Sequence, residues 1–303
     1  MAKYSIGVDL GGTNFRAAAI DQDGKLIDKI SGATGSAGGR EAILGALCGA
    51  IIALRDKRAG DELAGTGIVV PGFIDMARGL VLSSPNIPPF ENFYARDAFQ
   101  ERLHTPVILE NDANAAALGE KWMGAGRDVN DLVLLTLGTG IGGGIISDGR
   151  VIHGFLGMAA ELGHVTVDPM GNPCGCGNRG CLEKHASATA ISTMAKHMSL
   201  GDNLTSREVY DLAMAGNQHA KRVFECMGQA LGMGLANYIQ IFNFPLYLLS
   251  GGVLPAWDFF APAMFREIEQ RSATYRYAKT RVERAALGSD AGLFGAARLP
   301  YLQ

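Results

Sequence analysis

The sequence lacks an excess of charge of either sign. Its 303 residues contain 27 lysines and arginines against 30 aspartates and glutamates, which gives a formal net charge of −3. Proteins that bind DNA, RNA or an anionic membrane surface normally carry a basic patch. We therefore predict no nucleic-acid partner and no membrane partner. Apolar residues make up 48% of the chain, enough for a sizeable core and too many for a disordered chain.

Long apolar segments of the kind that target or anchor a chain are also lacking. The apolar run before Asp9 is too short for the core of a signal peptide. The longest charge-free stretch, residues 226–257, has membrane-spanning length but contains glutamine, asparagine and proline. We interpret it as a buried helix followed by a buried strand. A cytoplasmic chain long enough for two lobes is the expectation.

Cysteine is scarce, and three of the five cysteines lie within residues 174–181. One residue between two thiols is an awkward spacing for a disulfide, and we expect a reducing compartment. Three thiolates and one imidazole form the set that zinc takes in closed structural sites. The predicted zinc ligands are His164, Cys174, Cys176 and Cys181. Nine residues separate His164 from the first cysteine, so an ordinary core histidine is the alternative for that position.

Short apolar strands alternate with amphipathic helices, which predicts an α/β fold with mixed sheets. A strand, glycine turn and strand open the chain, and the same pattern returns near residue 131, which indicates a duplicated domain. A Thr205–Glu208 capping box predicts the start of one helix. The predicted strands cover residues 4–8, 15–20, 25–30, 67–70, 107–109, 131–137, 145–146 and 246–249. The predicted helices cover residues 41–57, 113–123, 205–214, 219–242, 261–271 and 292–299.

The first glycine turn has the sequence Asp9-Leu-Gly-Gly-Thr13. Gly11 and Gly12 allow main-chain N–H groups to approach a phosphate closely, and Thr13 adds a hydroxyl donor. Asp9 stands at the end of the strand, where one carboxylate can hold a hydrated magnesium ion. A plain hairpin turn with an incidental aspartate is the alternative.

The second glycine turn contains Gly138, Thr139 and Gly140 and formally matches the G-x-G-x-x-G pattern. A dinucleotide-binding loop must open a helix, whereas a strand follows here, so a Rossmann site is excluded. The sequence also lacks a G-x-x-x-x-G-K-[ST] loop. We predict two glycine turns that hold the phosphates of ATP. A third glycine pair, Gly251–Gly252, permits the close approach of a flat group such as adenine, or is a plain turn.

Asp112 lies where a buried strand gives way to an alanine-rich helix. A carboxylate at such a corner can accept the proton of an attacking hydroxyl, and Asn111 can orient the same substrate. The alternative is that Asp112 is only an N-cap, a position that aspartate often takes.

Together these segments resemble the ROK family (repressor, open reading frame, kinase), a branch of the hexokinase, actin and heat-shock ATPase superfamily. The resemblance spans essentially the whole chain and is greatest to the glucokinase group. It rests on the two glycine turns, the Cys-Gly-Cys-Gly-x-x-Gly-Cys-Leu-Glu run and the segments Pro71-Gly72, Pro85-Asn86, Glu110-Asn-Asp-Ala-Asn114, Glu161-Leu-Gly-His164 and Gly251-Gly252.

The resemblance implies a two-lobed actin/hexokinase-like fold, a duplicated ribonuclease H-like architecture with a cleft between the lobes. The implied small lobe covers residues 1–114 and is rejoined by the last helix, 288–303; the implied large lobe covers 115–287. A homodimer or homotetramer is implied as well.

The implied activity is transfer of the ATP γ-phosphate to the 6-hydroxyl of a hexose, most of all glucose, with Asp112 as general base. Magnesium would accompany ATP, and zinc would be structural. The implied sugar ligands, besides Asp112, are Gly72, Asn86, Asn111, Glu161, His164 and Glu183. The implied nucleotide ligands are Asp9, Gly11, Gly12, Thr13, Gly138, Thr139, Gly140, Gly251 and Gly252.

A DNA-binding repressor and a non-catalytic sugar sensor are the alternatives to a kinase. Repressors of the family carry a DNA-binding helix-turn-helix before the first glycine turn, whereas eight residues precede Asp9 here and the basic surplus is missing. A catalytically idle sugar sensor would not need Asp112 and both glycine turns. N-acetylglucosamine, mannose, fructose and allose stay open as alternative acceptors.

Overall fold

The computed structural model describes residues 2–302, which form two compact units. Unit 1 contains the chain up to Asn130, Gly144–Ala160 and the chain from Ala286 onward. Unit 2 contains Asp131–Gly143 and Glu161–Ala285. The lobe limits at residues 114 and 288 that the family resemblance implies stay a prediction.

Twelve strands and ten α-helices make up the described chain, joined by short 3-10 turns. The strands are β1 (Lys3–Leu10), β2 (Asn14–Asp21), β3 (Leu26–Ala33), β4 (Glu62–Val69), β5 (Phe73–Asp75), β6 (Leu80–Ser83), β7 (Val107–Glu110), β8 (Leu132–Leu137), β9 (Ile141–Ser147), β10 (Arg150–Val151), β11 (Leu246–Ser250) and β12 (Arg281–Arg284). The helices are α1 (Gly39–Asp56), α2 (Ala95–Leu103), α3 (Asp112–Met123), α4 (Glu183–Ala186), α5 (Ala188–His197), α6 (Ser206–Met214), α7 (Gln218–Phe242), α8 (Trp257–Arg271), α9 (Ala273–Ala278) and α10 (Ala291–Arg298).

Two five-stranded sheets have the same topology. The first has the order β3-β2-β1-β4-β7 and the second β10-β9-β8-β11-β12. Numbered by appearance within its own sheet, each reads 3-2-1-4-5. In the first sheet β1, β2 and β3 are antiparallel while β1, β4 and β7 are parallel. In the second, β8, β11 and β12 are parallel. The repeated topology confirms the predicted duplicated α/β fold.

The central parallel strands of the two sheets, β4 and β11, are buried because helices and neighbouring strands cover them. The last five residues of β4 and all five residues of β11 are buried. This explains why these strands read as continuous apolar runs instead of alternating ones. Functional side chains can therefore lie only at strand ends and in the turns that follow.

Helix α1 packs its apolar stripe, Ile43, Leu47, Ile51 and Leu54, into the hydrophobic core of unit 1. Within residues 2–302, the segment Ser36–Asp56 is the one helical stretch that length and composition alone would allow to cross a membrane. Its inner face contacts the core residues of β1 and β2. A core helix meets the same criterion, so the segment is explained by this packing.

The helix predictions are largely confirmed, with shifted ends. Helix α6 starts at the predicted capping box, in which Thr205 and Glu208 bond each other's main chain. Helix α8 begins at Trp257 and not at residue 261, so Pro262 lies inside the helix and not in its first turn. Eight of the described strands and α-helices went unpredicted: α2, α4, α5, α9, β10, β12 and the two strands of the β5–β6 hairpin.

Candidate active site and metal site

The corner between β7 and α3 is built by Asn111. Its Oδ1 accepts hydrogen bonds from the main-chain N–H groups of Ala113 at 2.9 Å and Asn114 at 3.4 Å, which makes Asn111 the N-cap of α3. Its Nδ2 donates to the carbonyl oxygen of Gly72 at 3.1 Å. Asp112 is the first residue of the helix, so the alternative in which Asp112 is the cap is wrong. Because Asn111 caps the helix, the carboxylate of Asp112 is available for other contacts.

Asp112 is an exposed residue whose carboxyl group has a raised pKa. The residue is exposed, so a substrate hydroxyl can reach it. Desolvation by the surrounding protein raises the pKa of Asp112, and the negative charge of Asp9 acts in the same direction. A hydrogen bond from the main-chain N–H of Ala113, at 3.0 Å, opposes both. A raised pKa makes this carboxylate a stronger proton acceptor than an ordinary aspartate, as general-base catalysis requires.

The residue before the cap, Glu110, is a buried carboxylate whose side chain is 2% exposed. Its Oε2 lies 2.7 Å from Nε2 of His153, and its Oε1 accepts hydrogen bonds from the main-chain N–H of Asn111 at 2.9 Å and from Nδ2 of Asn114 at 3.1 Å. The hydrogen bond and the charge of Glu110 raise the pKa of His153, against the opposing effect of burial. Sequence reasoning gave neither residue a role.

The first glycine turn lies between β1 and β2. Gly12 passes so close to Asn86 that a Cβ on the glycine would lie 2.7 Å from the Asn86 carbonyl oxygen. The structure thus brings the first turn together with one predicted sugar ligand. Thr13 and Asn86 are both exposed, and Gly11 and Gly12 are half-buried.

Asp9, at the end of β1, pairs with the guanidinium of Arg16. Arg16 also contacts Oδ1 of Asp290 at 3.1 Å and donates to the carbonyl oxygen of Ser289 at 2.6 Å. A Cβ on Gly292 would lie 3.6 Å from the Asp9 carboxyl carbon, so the glycine keeps that side of the carboxylate uncovered. A hydrated magnesium ion needs such room, and it would share the carboxylate with Arg16.

The second glycine turn, between β8 and β9, is held from outside by the start of α5. The N–H of Ala188 donates to the carbonyl oxygen of Gly138 at 2.8 Å, and the hydroxyl of Thr189 donates to that of Thr139 at 2.8 Å. Gly251 has φ 105° and lies against the end of β8, where a Cβ would be 2.4 Å from the Leu137 carbonyl oxygen. The glycine pair and the second turn are therefore neighbours in unit 2.

Glu183, a predicted sugar ligand, is attached to the second glycine turn. Its Oε2 accepts a hydrogen bond from the main-chain N–H of Ile141 at 3.0 Å. A Cβ on Gly140 would lie 2.3 Å from the same oxygen. Because only glycine leaves room for this carboxylate, the predicted phosphate-binding turn and the predicted sugar ligand form one structural element.

The four predicted zinc ligands meet in unit 2, with all four ligand atoms within 4.8 Å of one another. Cys176 Sγ and Cys181 Sγ are 3.7 Å apart, and Cys174 Sγ lies 3.5 Å from Nδ1 of His164. Tetrahedral zinc with its usual bond lengths places two sulfurs about 3.8 Å apart, and a sulfur and a nitrogen about 3.6 Å apart. The cluster therefore fits a tetrahedral metal ion, and His164 is part of it.

The thiols of this cluster differ in acidity. Burial raises the pKa of Cys181 to about 12, while a hydrogen bond from the main-chain N–H of Asn178 lowers the pKa of Cys176. Zinc binds thiolates, so metal binding must release protons and weakens as the pH falls. The Nε2 atom of His164, on the far side of its ring, lies 3.8 Å from Oε2 of Glu161, a second predicted sugar ligand.

Unit 2 also contains a pocket beside the third glycine pair. It is lined by residues of α6, α7 and the segment after β11: Ser206, Arg207, Tyr210, Phe224, Gly252, Val253, Pro255 and Ala256. The guanidinium of Arg207 lies 5.5 Å from the centre of the Tyr210 ring. Sequence reasoning missed these residues. An aromatic ring five residues after the capping threonine is the signal that would have indicated them.

Repeated sheets of this topology, each followed by helices and carrying a glycine turn after its first strand, define the actin-like class of two-domain sugar kinases. The sequence model of the ROK family matches residues 5–301, and this chain belongs to the ROK family.

Relatives and solved structures agree with this assignment. A glucokinase of Thermotoga maritima is 38% identical over 308 residues, which cover 97% of this chain and 96% of the relative. The crystal structure of a ROK hexokinase from Thermus thermophilus is 36% identical and has a TM-score of 0.88, with 99% of this chain and 98% of that chain covered. A ROK glucokinase from Streptomyces griseus, solved with glucose and AMPPNP, is 33% identical with a TM-score of 0.80 and coverage of 99% and 100%.

Proposed function

We propose that this protein is an ATP-dependent hexose kinase that transfers the γ-phosphate of ATP to the 6-hydroxyl of glucose. The observation that carries the proposal is Asp112, an exposed residue on the first turn of α3 whose carboxyl group is partly desolvated and has a raised pKa. The relatives support the same activity, since the Thermotoga protein is a glucokinase and the Streptomyces structure holds glucose and an ATP analogue.

In the proposed reaction Asp112 accepts the proton of the sugar hydroxyl while the phosphoryl group moves. Phosphoryl transfer depends mainly on positioning and charge neutralisation, and proton transfer to a placed base adds about 10²–10⁴-fold. Asn111 holds the corner in place through its bonds to Gly72 and to the first turn of α3. The proposed sugar ligands are Gly72, Asn86, Asn111, Asp112, Glu161, His164 and Glu183.

We assign the phosphates to the two glycine turns. Main-chain N–H groups at Gly11, Gly12 and Thr13, and at Gly138, Thr139 and Gly140, would bind them. The adenosine would lie in the pocket beside Gly252, where Tyr210 and Arg207 offer stacking surfaces for a base. Magnesium, held through water by Asp9, would neutralise part of the phosphate charge.

We assign zinc to His164, Cys174, Cys176 and Cys181, because their spacing fits four-coordinate binding with no position left open. Such an ion is structural: it fixes the loop that leads into Glu183. It also fixes the His164 ring, with Nδ1 on the metal and Nε2 available as a donor to a sugar hydroxyl.

We further propose a cytoplasmic protein that acts as a homodimer or homotetramer, without a nucleic-acid or membrane partner. The balanced charge of −3 supports the absence of polyanionic partners. Light scattering after size exclusion would measure the assembly, and a monomer at micromolar concentration would contradict it.

The decisive experiment is a panel of hexoses in a coupled ADP-release assay, with wild type and Asp112→Asn side by side. We expect glucose to give the highest kcat/KM, ahead of mannose, fructose, allose and N-acetylglucosamine. A different best sugar would replace glucose in the proposal. If the protein is folded and binds ATP but phosphorylates none of the sugars in the panel, the kinase proposal is rejected.

A further inference from the structure

We propose that His153 is a positioning residue for the base Asp112 and acts through Glu110. This inference rests on the proposed function, because Asp112 has a role to be positioned for only if it is the base.

The three residues are connected by hydrogen bonds within unit 1. His153 Nε2 contacts one oxygen of Glu110 at 2.7 Å. The other oxygen accepts from the main-chain N–H of Asn111 at 2.9 Å and from Nδ2 of Asn114 at 3.1 Å. Asn111 caps α3 and Asn114 lies in its first turn, so Glu110 holds the residues on both sides of Asp112.

The arrangement depends on His153 because Glu110 is buried. A carboxylate removed from water is costly unless it is paired, and loss of its partner leads it to seek other donors or to admit water. Either response would pull Glu110 away from Asn111 and Asn114. A displacement of about 1 Å at a reacting group can cost about 10²-fold in rate, so a small rotation of the corner matters.

Glu110 is the charged group that changes the pKa of His153, and it raises this pKa. Partial burial of the ring acts in the opposite direction. His153 is held in turn at the start of a tight loop, where its carbonyl oxygen accepts from the N–H of Ala159 at 3.0 Å. Gly154 and Leu156 in that loop have positive φ angles of 63° and 56°, and the two residues fix the direction of the chain. The imidazole is therefore presented to Glu110 from a constrained loop.

The test compares His153→Leu, which removes the donor, with His153→Gln, which keeps an N–H group able to reach Glu110. We expect His153→Leu to lower kcat about tenfold or more, and to lower glucose affinity, measured by calorimetry, by a smaller factor than kcat, because the sugar ligands outside this corner are unaffected. We expect His153→Gln to recover most of the rate. Unchanged kcat in His153→Leu, or an equal loss in both variants, would overturn the proposal.

Stability needs its own control. Tyr247→Phe removes a buried hydroxyl that donates to the Tyr238 carbonyl oxygen at 3.1 Å in unit 2. It should lower the melting temperature without lowering kcat at 25 °C. If His153→Leu does not fold, His153→Gln and Glu110→Gln carry the same test, since each keeps a neutral hydrogen bond where the ion pair was. The proposal expects each to fold and to retain most of kcat, and a rate as low as that of Asp112→Asn would overturn it.

A double-variant cycle separates this inference from the proposed function. Asp112→Asn alone tests the base. If His153 acts through Asp112, adding His153→Leu to Asp112→Asn lowers the residual single-turnover rate no further. If the two losses multiply, His153 acts elsewhere and the positioning role is wrong even though the kinase stands. If Asp112→Asn keeps the wild-type rate, the proposed base fails first, and the positioning role fails with it.

Discussion

The main-chain N–H of Ile141 donates to Oε2 of Glu183 at 3.0 Å, across 42 positions of the sequence. This bond attaches the carboxylate proposed for a sugar hydroxyl to the turn proposed for a phosphate. Gly140 leaves the space that the carboxylate fills. Substitutions in one turn can therefore have two different outcomes, according to whether they touch Glu183.

Gly138→Ala should weaken nucleotide binding alone. A Cβ at Gly138 meets only the Gly140 carbonyl oxygen, at 3.9 Å, so the folded protein accepts it. The methyl group would occupy the space that a phosphate needs, and crowding of this kind costs about 1–3 kcal/mol, or about 5-fold to 150-fold in affinity. Calorimetry with a non-hydrolysable ATP analogue measures it, with glucose affinity as the internal reference.

Gly140→Ala is the matched variant. Its methyl group would lie 2.3 Å from Glu183 Oε2 and force the carboxylate away from Ile141, so both glucose and nucleotide affinity should fall. Equal affinities for the analogue in Gly138→Ala and wild type would reject residues 138–140 as a phosphate site.

Asp112→Asn should lose activity without losing stability. The amide cannot accept the proton, so we expect kcat to fall by about 10²-fold or more, with a much smaller change in glucose affinity. Desolvation raises the pKa of Asp112, which means that folding disfavours its ionised form. The cost to stability is full above the folded pKa, decreases as the pH falls through it, and is absent below the unfolded value of about 3.9.

The neutral asparagine avoids this cost. The melting temperature of Asp112→Asn at pH 7 should therefore equal or exceed that of wild type, and the difference between the two melting temperatures should decrease in acid. Calorimetric scans at pH 4 and pH 7 beside steady-state rates would show both effects. A variant that melts well below wild type at pH 7 would mean that the carboxylate is a structural group.

The sequence predicts elements whose signals are local and misses those that depend on distant partners. The capping box of α6 was visible because Thr205 and Glu208 are three residues apart. Strand β12 was missed because three of its four residues are charged; Val282 alone is buried, and its pairing with β11 decides its conformation. Helix α2 carried a usable signal, since Ala95, Phe99 and Leu103 recur every four residues and are buried.

The same distinction between local signals and distant partners applies to the candidate site. Asn111 and Asp112 both suit a helix N-cap, and the sequence could not choose between them. The choice of Asn111 follows from where β7 ends and from the Gly72 carbonyl that its amide reaches, 39 positions away. The partner His153 of Glu110 was likewise invisible, because an ion pair between separate segments leaves no spacing pattern. Arg16 could have been found, since it lies directly opposite Asp9 in the β1–β2 hairpin.

Loss of the proposed zinc should disturb sugar binding as well as the loop. Cys176→Ser removes an exposed thiol ligand, so zinc content should fall well below one per chain, and the melting temperature and glucose affinity should fall with it. Adding His164→Gln should cost little more glucose affinity, because both changes break one unit and their effects are not additive. Elemental analysis and calorimetry on the two single variants and the double variant provide the measurement.

Cys226→Ser is the matched control, since Cys226 is a free, half-buried cysteine of α7 outside the cluster, and its zinc content should match wild type. If a zinc-free Cys176→Ser protein binds glucose with wild-type affinity, the metal stabilises its own loop without affecting the sugar site, and His164 is not a sugar ligand.

The stability of unit 1 should depend on pH through the pair of His153 and Glu110. Glu110 raises the pKa of His153, so the folded protein binds the proton more tightly than the unfolded chain does. For such a group the stabilisation is fully present below the unfolded pKa of about 6.5 and is lost as the pH rises through the higher folded value. Glutamine does not titrate, so His153→Gln lacks this contribution at every pH. The melting temperature of wild type minus that of His153→Gln should therefore be largest near pH 6 and should decrease steadily toward pH 9. If this difference stays constant over that range, the contact is a neutral hydrogen bond. His153 then supports the loop conformation but does not form an ion pair with Glu110.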